Sequence, residues 1–106
     1  MANVTGCNLK TIGDKMNIES ILDEREKTHG KYSEHACITQ NLKTIIKHCD
    51  GWNNLTNCQR ESLEMIAHKI GRIITGNPNT LDHWTDIAGY ATLICKEIEA
   101  NESIQH

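Results

Sequence analysis

At 106 residues and 38% hydrophobic content, the chain is sized for one domain with one core. A formal charge of −3 argues against a protein that clamps long nucleic acid through its phosphates. No run approaches the roughly 18 apolar residues of a membrane span, and the start, MANVTGCNLKTIGDK, lacks a secretion signal's apolar stretch, so the chain is expected in the cytoplasm with no membrane partner.

Aromatics are 4% and Phe is absent, so the interior must be built from Ile, Leu, Ala, Met and Cys, which suits packed helices better than a β-sandwich. Residues 1–16 show no steady period and read as a flexible N-terminal arm. From Asn17, a good N-cap, Ile18, Ile21 and Leu22 form a short apolar stripe, and Gly30 stops the helix. Ser33 can cap a second helix with Ala36, Ile38, Leu42, Ile45, Ile46 and Cys49 near one face, ended by Gly51.

Thr56 and Gln59 have the spacing of a capping box and set the start of a third helix. Leu63, Ile66, Ala67, Ile70, Ile73 and Ile74 recur at helical spacing before Gly76 and Asn77-Pro78-Asn79 break it. A fourth helix, capped by Asn79 or Thr80, carries Trp84, Ile87, Ala88, Ala91, Ile94, Cys95 and Ile98 as its expected buried stripe, and the tail from Ala100 frays. The reading is all-α: one domain, 1–106, folded as a compact antiparallel bundle of about four helices. The five cysteines, an odd number without a Cys-x-x-Cys pair, suggest neither a disulfide framework nor a zinc knuckle; on helices they read as small core hydrophobes.

A short turn joins the third and fourth helices, so their polar faces should meet. Glu61 and Glu64 are spaced i, i+3, His68 follows Glu64 at i+4, and Lys69 and Arg72 extend the band. On the fourth helix Asp82 and Asp86 lie one turn apart, with His83 between them and Tyr90 one turn on. Carboxylates facing each other across two helices suit Mg²⁺ or Mn²⁺, and the cations suit phosphate oxygens. The same residues also suit ordinary surface salt bridges. His68 and His83 could instead be hydrogen-bonded structural groups, while His29 and Tyr32, beside Gly30, suit a ligand-contacting loop.

Arg25-Glu26-Lys27-Thr28-His29-Gly30, Ile66-Ala67-His68-Lys69-Ile70 and Asp82-His83-Trp84-Thr85-Asp86-Ile87-Ala88-Gly89-Tyr90 closely resemble the recurring phrases of a small phage and prophage domain family of unknown function, over roughly Ile21 to Leu93. More remotely, the third and fourth helices resemble the MazG-like all-α nucleoside triphosphate pyrophosphohydrolases, whose metal motif is Glu-x-x-Glu followed by Glu-x-x-Asp. Glu61-Ser62-Leu63-Glu64 matches the first half, whereas His83-Trp84-Thr85-Asp86 has His83 in place of the expected glutamate. That resemblance implies a metal-dependent nucleotide pyrophosphohydrolase with Glu61, Glu64 and Asp86 as catalytic metal ligands, Asp82 beside them as a further candidate ligand, and Lys69 and Arg72 on phosphate. His29, Tyr32, His68, His83 and Tyr90 would complete the ligand contacts. The alternative is a non-enzymatic phage protein that sequesters a nucleotide signal or inhibits a host defence protein. The limited core also predicts a homo-oligomer, as does the MazG-like likeness, since those domains usually pair helices across subunits.

Overall fold

A computed structural model describes the backbone of residues 12–105 and the side chains of 17–103. Four helices follow one another: α1 (Ile12–His29), α2 (Tyr32–Lys47), α3 (Asn57–Thr75) and α4 (Leu81–Gln105), with a 3-10 turn at Asp50–Asn54 before α3. No strand occurs among the described residues, and the helices pack as an all-α bundle.

Local chemistry explains most of the boundaries. The Thr56 hydroxyl accepts from the Gln59 amide at 3.1 Å while the Gln59 side chain accepts from the Thr56 amide at 2.9 Å, the reciprocal box expected at the start of α3. The polypeptide before it is fastened by Arg60, which donates to the carbonyls of Trp52 and Asn53. Three expectations shift. Helix α1 begins at Ile12, inside the stretch read as an arm, while residues 1–11 lie outside the described residues. Helix α2 begins at Tyr32 behind Lys31, without a side-chain cap, so Ser33 is already helical. Helix α4 runs on through Gln105 instead of fraying at Ala100.

Helix α3 is central, with α2 on one side and α4 on the other. Lys69 pairs with Asp86 and Glu97 lies near enough to Cys58 to push its thiol up, so α3 and α4 run antiparallel in a register that also sets Arg72 opposite His83. Glu64 meets Lys43 and Lys47, and His68 meets His35, which makes α2 and α3 antiparallel as well. Helix α1 engages the others mainly at its C-terminal end, where the Thr28 carbonyl accepts from the Asn77 amide at 2.9 Å.

The interior differs from the expected stripe of large aliphatics. Ala67 is the one buried apolar side chain among the described residues, accompanied by the buried polar residues His35, Thr39, Ser62 and His83. The centre of α3 presents Ser62, Ala67 and Gly71, small residues that let its neighbours approach closely. On α4 the line facing α3 is His83, Asp86, Ile87, Tyr90, Ile94 and Glu97; Trp84, Ala88, Ala91, Cys95 and Ile98 are exposed, contrary to the predicted stripe. Cys37, Cys49, Cys58 and Cys95 are free thiols on the surface, not core hydrophobes.

Candidate ligand-binding site

The α1–α2 corner rests on the C-terminal end of α3. Gly30 adopts φ +81°, and a β-carbon there would run into the Thr75 carbonyl, so both conformation and space demand glycine. The Thr75 hydroxyl lies 2.8 Å from the Gly71 carbonyl and 3.0 Å from that of His29, tying the corner to α3.

This contact delivers His29 to Arg72 and His83. Arg72 Nη1 donates to His29 Nε2 at 3.2 Å, and because arginine has no acceptor, the neutral ring must carry its proton on Nδ1. Nδ1 then donates to His83 Nε2 at 3.3 Å, with the Thr28 carbonyl farther from that nitrogen at 3.5 Å. Burial, followed by the charge of Arg72, holds His29 down at about 4, so it is neutral near pH 7. Arg72 is pushed below its ordinary value by burial and by Arg25, partly offset by Asp86.

A second histidine pair lies across α3. His35 Nε2 stands 3.3 Å from His68 Nδ1, the rings edge to face at 4.5 Å. Burial first and Arg72 second hold His68 at about 4 and lower His35 too. His35 Nδ1 and Thr39 Oγ1 are buried without hydrogen-bond partners among the described residues. Both press against Gly71, where an added β-carbon would sit 2.5 Å from Thr39 Oγ1 and 2.8 Å from His35 Nδ1. The glycine thus brings α2 close enough to seat His35 beside the cluster.

In front of these rings opens a cleft of about 410 Å³. Its lining combines the cations Arg25 and Arg72 with neutral His29 and with Leu22, Tyr32 and His35; Glu26 is its single carboxylate. No ion pair of Arg25 or Arg72 with a carboxylate forms among the described residues, although four other pairs do. A half-buried guanidinium whose only hydrogen-bond partner among the described residues is a neutral imidazole is a site poised for an anion.

Residues 15–98 match the domain of unknown function DUF6378. The chain belongs to the DUF6378 family. No curated protein and no solved structure matches it.

Within this DUF6378 domain the sequence-predicted residues divide into three groups. His29, Tyr32 and Arg72 line the cleft, with His83 directly behind His29 and His68 behind His35. Lys69 and Asp86 form a 2.9 Å pair, in which the lysine's hydrogen bond and charge hold the carboxyl below its usual range. Glu61 is exposed, Glu64 is bonded to Lys47 at 3.1 Å, Asp82 is exposed, and Tyr90 lies a turn beyond Asp86 on the half-buried side of α4. In the α3–α4 register Glu61 stands opposite Ile94 and Glu64 opposite Ala91, so Asp86 is offset from them along the axis by about 12 and 8 Å at 1.5 Å per residue.

The donor set for Mg²⁺ or Mn²⁺ therefore does not fit. Two of the carboxylates are already neutralised by lysines, the four do not share a level, and among the described residues no three His, Cys, Asp or Glu side chains converge as metal ligands. Sequence reading also missed Arg25, Leu22 and His35. The His35/Thr39 spacing, one helical turn, was the available signal for a second polar face on α2.

Proposed function

We propose that this domain binds a nucleotide or a related phosphorylated small molecule in the cleft between α1, α2 and α3, and holds it without metal-dependent hydrolysis. The observation that carries this reading is Arg72, a half-buried cation beside Arg25, bonded to neutral His29 and open to a cleft with one carboxylate. Phosphate oxygens would accept from the two guanidiniums, while Tyr32, Leu22 and His35 offer a ring or another flat group an apolar wall. Tyr32 is 69% exposed and stands at the mouth, whereas His35 is buried behind it.

Sequestration agrees with the chemistry of the residues better than hydrolysis does. His29 and His68, at about 4, are weak bases near neutrality, and Arg72 occupies the His29 nitrogen that would otherwise face a substrate. The test is a nucleotide panel presented to the full chain, with and without Mg²⁺ or Mn²⁺. The expected outcome is saturable binding with the nucleotide recovered intact after denaturation. Release of pyrophosphate or phosphate that depends on the metal and on Glu61 would establish the hydrolase instead.

A further inference from the structure

At 1% exposure His83 is the largest fully buried side chain among the described residues, and it has no place in the cleft. The cleft lining comes from α1, α2, Gly30 between them and Arg72 of α3, with no residue of α4. A ligand in the cleft therefore cannot touch His83. An enclosed position is usually apolar, and a polar ring placed there needs a hydrogen-bond partner.

That partner is His29, and the bond between them has a direction. Arg72 can only donate, so His29 Nε2 accepts from it at 3.2 Å and the ring proton sits on Nδ1. The proton on Nδ1 needs an acceptor, and His83 Nε2 supplies one at 3.3 Å. The Thr28 carbonyl, 3.5 Å from that nitrogen, is itself an acceptor and already receives the Asn77 amide. Donation thus runs one way, from Arg72 to His29 to His83. With its proton on Nε2 instead, His29 would turn an N–H toward the guanidinium, donor against donor. No other hydrogen bond holds Arg72 among the described residues, since Asp86, whose charge it feels, is bonded to Lys69 at 2.9 Å.

We propose that His83 is a positioning residue for the anion site: by accepting from His29 Nδ1 it fixes the tautomer that orients the Arg72 guanidinium, without touching the ligand. The proposal rests on the cleft reading for its ligand. If His83 only filled space, any side chain of similar bulk would serve in its place. If it positions Arg72, what counts is an acceptor atom at the reach of Nε2.

Three replacements in the full chain separate these roles. His83→Leu removes the acceptor, His83→Gln puts an amide oxygen at about the reach of Nε2, and His83→Asn puts one at about the reach of Nδ1, short of His29. NMR of the ring nitrogens should find the His29 proton on Nδ1 in the wild type and in His83→Gln, and moved wholly or partly to Nε2 in His83→Leu and His83→Asn. Calorimetric titration of ATP in EDTA should give an affinity about tenfold lower in His83→Leu and His83→Asn, and within about threefold of wild type in His83→Gln. Should His83→Leu fail to fold, the contrast between the Gln and Asn variants decides. Equal affinity in those two variants, or a wild-type His29 with its proton on Nε2, would overturn the proposal and leave the cleft reading standing. A wild-type chain that binds no ATP would overturn the cleft reading, and the positioning role with it, whatever the tautomer.

Discussion

The two ends of α3 carry similar numbers of charged side chains and do different things with them. Toward its N-terminus Glu64 is neutralised by Lys47 and Lys43 from α2, and Glu61 is exposed. Toward its C-terminus Arg72 is half-buried, keeps a like charge at Arg25 nearby, and has a histidine where a carboxylate would ordinarily stand. The first arrangement offsets its partly buried charge with opposite charges, while the second leaves its charge without a carboxylate and opens onto a cleft. A polar band at helical spacing is therefore uninformative until the residues on the neighbouring helices are known.

The sharpest way to break the C-terminal end is through its glycines. Gly30→Ala forces a side chain into a left-handed conformation and against the Thr75 carbonyl, and should destabilise the chain by about 3 kcal/mol. Gly71→Ala, with Thr39 Oγ1 and His35 Nδ1 in the way, should cost about 1–3 kcal/mol. Urea unfolding midpoints measure both, and a loss below about 0.5 kcal/mol in either would mean that the close helix approach is not as described.

Acid should act on the same end. His29 and His68 sit at about 4 when folded against an ordinary 6.5, so between these values the unfolded chain takes up protons that the folded chain refuses. Stability is full above about 6.5, falls as pH drops toward 4 and stops falling from this source below it. Thermal melts across that window check the sign. Arg72→Ala removes the second-largest cause of the His29 depression and should raise the pKa of that ring, a change visible by NMR titration.

The N-terminal end should respond less. Thr56→Ala deletes half of the capping box and should cost about 1 kcal/mol in chemical unfolding. Glu64→Gln breaks a partly exposed pair with Lys47 and should change stability by less than about 1 kcal/mol, leaving ligand affinity unaltered. A loss of binding in Glu64→Gln would return the site to the carboxylates.

Much of the fold was readable because it rests on local rules: Thr56 and Gln59 announced α3, Gly30 and Gly76 marked turns, and the short Asn77-Pro78-Asn79 link made α3 and α4 antiparallel. The buried face of α4 was not, since Trp84, Ala88, Ala91, Cys95 and Ile98 have the better apolar period while the line that packs on α3 includes His83, Asp86 and Glu97. Hydrophobic period identifies a sticky face but not which neighbour takes it. His29, Tyr32 and Arg72 were legible as ligand contacts one by one. Their convergence depends on Gly30 resting on Thr75, a contact between positions 45 residues apart that no local spacing encodes.

The central claim is that Arg72, not the carboxylates of α3, governs the ligand, and a calorimetric titration of ATP into the full chain in the presence of EDTA tests it most directly. The account predicts binding without metal, weakened about 10- to 100-fold in Arg72→Ala as a charge-assisted contact is lost, and unchanged in Glu61→Gln. Binding that appears only with Mg²⁺ or Mn²⁺, survives Arg72→Ala and disappears in Glu61→Gln would contradict it.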